Sequence, residues 1–291
     1  MLKGGVTISM KETIYTIPLT EAFHTDCECP FCCLVKKLTA EQIDSFLGPS
    51  LMEPDIRTMT NESGFCREHL SMLYASKSNR LGLALILHTH TQEKNAFMTS
   101  LVQKAGVPPG NAQRANPAAV KSFSLFQKRG KQSKTAIPTD PGTQNPVGKM
   151  DLNAVNDLIL SLERLENSCC ICDKLQRSML RYVEVLFYLW DREPEFRAQF
   201  AKINGFCLPH FKLILTHARQ TMTADDLSEF LSVLLPLQTK NMKRVEDDLL
   251  WFTQKFDYRN DDKSWGTSKD ALPRAIEKLR GSCTLTERQP K

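Results

Sequence analysis

Two short cysteine motifs occur twice in this chain, in the same order and at nearly the same spacing. The first set is Cys29-Pro-Phe-Cys32, then Glu53-Pro54-Asp55-Ile56-Arg57, then Gly64-Phe65-Cys66-Arg67-Glu68-His69. The second is Cys169-Cys-Ile-Cys172, then Glu193-Pro194-Glu195-Phe196-Arg197, then Gly205-Phe206-Cys207-Leu208-Pro209-His210. The offset is 140 residues at the first two motifs and 141 at the third, so one inserted residue separates the copies. Such order and spacing point to an internal duplication. Cys29, Cys32, Cys66, Cys169, Cys172 and Cys207 recur, whereas Cys27, Cys33, Cys170 and Cys283 do not. Among the histidines only His69 and His210 recur.

Each half therefore offers three sulfurs and one imidazole, the donor set of a closed tetrahedral zinc site. A two-residue gap lets C-x-x-C aim both sulfurs at one ion, and Cys66 and His69 share a helix face at i, i+3. Helix starts also favour the ligating thiolate. With 33 or 34 residues between the pairs, the spacing predicts two helices clipped together by the metal in each half. Two zinc ions are expected, and spacing alone leaves iron open. Lys36, Lys37, Arg67, Lys174 and Arg177 are candidates to balance the thiolate charge. Cys27, Cys33 and Cys170 are read as bystanders or as ligands that swap into a site. Inert packing cysteines are the plain alternative. A second is redox chemistry at Cys29 and Cys32, which have the C-P-x-C form of thioredoxin-like sites but lack their βαβ setting.

The periodicity around these motifs is helical. Glu-Pro-Asp and Glu-Pro-Glu mark helix starts. Gly64 and Gly205 are expected to end the short helices that follow. Longer helices are predicted from about Leu81 to Lys104 and from Asp225 to Phe256, the latter kinked at Pro236. Only Thr13 to Ile17 alternates as a strand would. The expected fold is all-α: two similar helical halves, residues 10–104 and 151–259, each clipped by a Cys3His metal site. A tail with a short helix, 260–291, completes the chain. Between the halves, residues 105–150 contain six prolines, five glycines, seven Lys/Arg and one acid, the composition of a flexible linker.

That segment also accounts for the charge. The chain carries +5, but outside the segment 31 basic residues face 32 acids, so the folded halves offer no support for nucleic-acid binding. The N-terminus has no secretory h-region, and no apolar run approaches the roughly 20 residues of a membrane span. The expected compartment is the cytoplasm, where thiols stay reduced. His88 and His90 are two apart and point to different helix faces. His24 has no counterpart in the second half. Trp190, Trp251 and Phe252 fit core positions. No residue is assigned as catalytic.

The paired C-x-x-C and G-F-C-x-x-H motifs resemble a bacterial family of unknown function. The resemblance runs from Met10-Lys-Glu-Thr-Ile-Tyr-Thr-Ile-Pro-Leu-Thr-Glu-Ala-Phe23 through Arg80-Leu-Gly-Leu-Ala-Leu to Ser268–Leu279, and is weakest in the linker. Residues 1–9 lie upstream of it, and no activity comes with it. The reading that results is a metal-binding adaptor or regulatory protein with a protein partner. A redox enzyme or sensor using Cys29 and Cys32, and a ligand-binding component of a transport system, are the alternatives. The last would need export and an apolar pocket between the halves.

Overall fold

The computed structural model describes residues 11–104 and 152–281. The expected linker, Cys283 and residues 1–9 lie outside the described residues. Among those described there are eleven α-helices and no strand: α1 (Lys11–His24), α2 (Pro30–Leu47), α3 (Pro54–Ser63), α4 (Arg67–Ser76), α5 (Arg80–Lys104), α6 (Leu152–Glu166), α7 (Cys170–Arg192), α8 (Pro194–Phe200), α9 (Leu208–Thr221), α10 (Ala224–Gln254) and α11 (Ala271–Arg280). The all-α expectation holds. No helix among the described residues is long and apolar enough to cross a membrane.

Thr13 to Ile17 departs from its alternating pattern and lies in α1. Tyr15, Leu19, Ala22 and Phe23 recur at helical steps and turn toward the core, so burial on α7 overrides a short period-2 run. Both Glu-Pro motifs start helices as expected, with Glu53 and Glu193 as N-caps and proline in the first turn. Gly64 caps α3. Gly205 does not cap α8, which already ends at Phe200. α10 continues through Pro236 as one helix.

The two halves are not separate bodies of packing. One core joins Leu19, Phe23, Phe31 and Leu34 to Met179, Leu186, Trp190, Phe200, Phe206 and Phe230. The other joins Ile43, Phe46, Leu47, Leu73 and Leu83 to Cys170 and Ile171. Helices α2 and α7 pack on each other and pass through both cores. The N-terminal part of α2 lies in the first core and its C-terminal part in the second; α7 runs the opposite way. They form an antiparallel strut with one C-x-x-C at each end. Aromatic rings fill the first core, with Trp190 at 5.1 Å from Phe200 and Phe23 at 5.0 Å from Phe196. Trp190 is a core residue, as its sequence position suggested.

Candidate metal centres

All eight repeated cysteines and histidines occupy the same local position: the N-cap and third residue of a helix. Cys29 and Cys169 cap α2 and α7 with nearly identical backbones, φ −155°, ψ 112° and φ −162°, ψ 117°. Cys66 and Cys207 cap α4 and α9, again alike at φ −69°, ψ 164° and φ −70°, ψ 156°. An extended N-cap followed by one helical turn brings residues i and i+3 to the same side. It also sets both beside the positive end of the helix dipole, which favours thiolate.

These pairs converge in two clusters, Cys29, Cys32, Cys207 and His210, and Cys66, His69, Cys169 and Cys172. The expectation that each half closes its own site is corrected: the C-x-x-C of one half meets the C-x-x-H of the other. The length of the intervening helix explains the exchange. At 1.5 Å per residue α2 carries the chain roughly 27 Å away from Cys32, and α3, with ten residues, returns it only about half that distance. Cys66 and His69 thus emerge at the far end of the strut, where α7 begins.

Cluster geometry matches a tetrahedron. With metal–sulfur bonds of about 2.3 Å and metal–nitrogen bonds of about 2.0 Å, tetrahedral edges are roughly 3.8 Å between sulfurs and 3.5 Å between sulfur and nitrogen. In the first cluster Cys32 Sγ lies 3.6 Å from Cys207 Sγ, and His210 Nδ1 lies 3.5, 3.5 and 3.1 Å from the sulfurs of Cys29, Cys32 and Cys207. In the second, Cys66 Sγ and Cys172 Sγ are 3.8 Å apart, and His69 Nδ1 lies 3.2, 3.4 and 3.4 Å from Cys66, Cys169 and Cys172. None of the nine cysteines among the described residues is joined in a disulfide. Either cluster could hold a metal ion, and neither leaves a ligand position open to substrate.

Three thiols around one point cannot all ionise without a cation. Hydrogen bonds with Cys207 and Cys29 hold the Cys32 thiol far below its ordinary value. Burial pushes Cys29 well above it. Burial also raises Cys172, and the hydrogen bond and charge of Cys169 raise it further. At Cys169 burial acts upward, but hydrogen bonds from His69 and from the backbone outweigh it and bring the thiol down to about 6. Cys32 in the first cluster takes the negative charge at the expense of Cys29, and Cys169 in the second at the expense of Cys172.

The surroundings of the two clusters differ. Glu28, next to Cys29 and 6% exposed, accepts from Arg244 Nη2 at both carboxylate oxygens, at 2.7 and 2.6 Å. The fully buried Lys278 lies 3.2 Å from the same carboxylate and donates to the carbonyl of Glu28 at 2.6 Å and to that of Asn204. Arg274 adds a 2.8 Å contact to Asp248. Just after α11, Gly281 lies so close that a Cβ there would stand 3.7 Å from Cys207 Sγ and 3.8 Å from Cys32 Sγ. The C-terminal helix thus covers the first cluster. The second is held differently: Ser168 Oγ donates to Ser63 O at 2.7 Å, and the Cys170 N–H to Gly64 O at 3.1 Å. Cys172 is exposed and Cys66 partly so.

Four of the five basic residues nominated to balance the thiolates have contacts of their own. Lys37 pairs with Glu21 at 3.2 Å, Lys174 lies over the Phe46 ring, Arg177 bonds the Asp173 carbonyl, and Lys36 is 3.9 Å from Glu277. Lys278 is the buried ammonium beside the first cluster, and the sequence reading missed it. Its signal was a lysine at the third position of the Ala271, Ala275, Lys278 stripe that α11 buries. Cys27 and Cys33 are half-buried neighbours outside both clusters. Cys170 is buried with its sulfur on the Gly64 carbonyl. His90 Nδ1 is satisfied by the Asn61 carbonyl at 2.8 Å.

No curated protein and no solved structure matches this chain. A family model described as a family of unknown function, DUF6062, matches residues 10–286. That span contains every residue of both clusters and the helix that covers the first, and the chain belongs to the DUF6062 family.

Proposed function

We propose that this is a cytoplasmic, non-enzymatic binding protein, an adaptor or regulator, whose two halves are stapled to each other by two structural zinc ions. The observation that carries the reading is the edge lengths of the two clusters, which are those of tetrahedral Cys3His coordination. Four protein ligands per ion leave no place for a substrate, which favours a structural role over a catalytic one. Ten cysteines, six of them clustered in metal-ligand spacing, suit a reducing compartment. The purified protein is expected to carry two zinc ions per chain, and a strong chelator should unfold it, read by loss of helical circular dichroism. Protein with no bound metal and with Cys29, Cys32 and Cys207 freely alkylated in the native state would end the reading.

We read residues 10–104 and 151–259 as copies of one unit. Matched N-cap backbones support this, as does the matched use of Arg57 and Arg197. Each arginine bonds the residue 32 positions on, Thr89 at 2.7 Å and Glu229 at 2.5 Å.

Ligand binding is the second reading, favoured by a mostly apolar cavity of about 320 Å³ between the halves, lined by Phe97, Met98, Leu162 and Leu165 among others. Met98→Trp, which would fill it, is expected to abolish uptake of an apolar fluorescent probe. Unchanged uptake would remove this reading.

A further inference from the structure

The two clusters share ligands and local geometry but not access to solvent. In the first, Cys29, Cys32 and Cys207 are all 0% exposed. Gly281 stands against two of the sulfurs, and Lys278 closes the approach along Glu28 and Asn204. In the second, Cys172 is exposed and Cys66 partly exposed, with the two sulfurs 3.8 Å apart, while Cys169 is buried. Thiolate oxidation requires contact between sulfur and oxidant, so reactivity follows exposure.

We propose that the second cluster is an oxidation site for hydroperoxides, with Cys172 as the reacting thiolate and Cys66 as its disulfide partner, while the first cluster is inert. This rests on the zinc reading. With a zinc ion bound, Cys172 would be held as a thiolate, and it attacks one oxygen of hydrogen peroxide. An S–O bond forms, the O–O bond breaks, and hydroxide leaves with the electron pair. The Cys66 thiolate then attacks the resulting sulfenic sulfur and displaces a second hydroxide. Two thiolates have lost two electrons, and one peroxide has become two hydroxides, which protonate to water. Only His69 and Cys169 would then remain to hold a zinc ion, too few for a closed site, so its release is expected. Because Cys66 and Cys172 come from different halves, the bond that forms takes over the span that the metal had bridged.

The test uses the full-length protein with its metal content measured first. Hydrogen peroxide is added in the presence of a chromophoric zinc chelator, and disulfides are located by peptide mass spectrometry without reduction. The expected result is release of one zinc per chain at least tenfold faster than the other, together with a Cys66–Cys172 disulfide. Cys172→His keeps four ligands but removes the reacting sulfur, and is expected to bind two zinc ions and lose the fast phase. Release of both ions at one rate, no release, a fast phase surviving in Cys172→His, or first oxidation at Cys29, Cys32 or Cys207 would overturn the proposal. If Cys172→His does not fold, peptide mapping of the wild-type protein decides alone. Absence of zinc before peroxide is added would overturn the zinc reading itself and the proposal with it.

Discussion

Gly205 stands two residues before Cys207 with φ +81°, and a Cβ there would lie 2.9 Å from Gln238 Oε1. That oxygen accepts the Phe206 N–H at 2.9 Å while Gln238 Nε2 donates to Phe206 O at 2.8 Å. The glutamine thus pins the backbone that aims Cys207. Gly205→Ala combines a left-handed backbone, worth about 1–2 kcal/mol for a side-chain-bearing residue, with displacement of this clamp. A loss of about 2–3 kcal/mol is expected in urea titration of the metal-bound protein. Gly64, with φ +61° and the His90 ring 2.8 Å from its would-be Cβ, holds the equivalent place before Cys66. Lys278→Ala should cost about 2–4 kcal/mol by the same titration, because it leaves the buried carbonyls of Glu28 and Asn204 without their donor and removes one cation from the Glu28 carboxylate, which keeps Arg244. All eight clustered residues were legible because each has a counterpart 140 or 141 residues away. Lys278 has no counterpart, and one lysine in an amphipathic helix looks in sequence like any solvated charge.

At the scale of elements, the helix starts were readable and the partners of those starts were not. The N-cap cysteines, the Glu-Pro starts and the long α5 and α10 all stand where local chemistry puts them. Pairing is another matter. Two C-x-x-C turns and two C-x-x-H turns can combine within halves or across them, and both combinations give the same donor sets. What breaks the tie is the length of α2 and α7, 18 and 23 residues, a global consequence of a local property. α11 was legible as a short helix but not as the cover of a cluster. Its attachment is electrostatic and therefore sensitive to acid. Burial alone would raise the Asp248 carboxyl, but hydrogen bonds from Arg274 and Thr267 outweigh it and hold the group below its ordinary 3.8. A depressed carboxyl contributes its full stability above the unfolded value and loses it as pH falls through the folded one. In the wild-type protein, amide exchange in α11 should therefore accelerate below about pH 4. Asp248→Asn should show the faster exchange already at neutral pH, with little further change on acidification.

At the scale of the whole molecule, the exchanged clusters close long chain segments. Cys32 and His210 are 178 residues apart, and Cys169 and His69 are 100. Closure within one half would span 34 residues from Cys32 to Cys66. Because closure entropy grows only with the logarithm of length, the exchange costs about 1–1.5 kcal/mol per site. Structural zinc contributes on the order of 10 kcal/mol, so the packing geometry of the α2–α7 strut decides the pairing and loop entropy does not. A consequence separates exchanged from closed halves. A specific protease site placed between Lys104 and Leu152 would convert the protein into two chains with the same contacts. With metal bound, the cut protein should still elute as one particle with two zinc ions, since each ion is held by both pieces and both cores are shared. Chelation should then release the pieces, and neither alone should rebind zinc with four ligands: each retains one C-x-x-C and one C-x-x-H at opposite ends of a helix about 27 Å or more in length. Mixing the pieces with zinc should restore the particle at two ions per pair. Pieces that separate with one tightly held zinc each would show closure within halves, and would refute the exchanged arrangement.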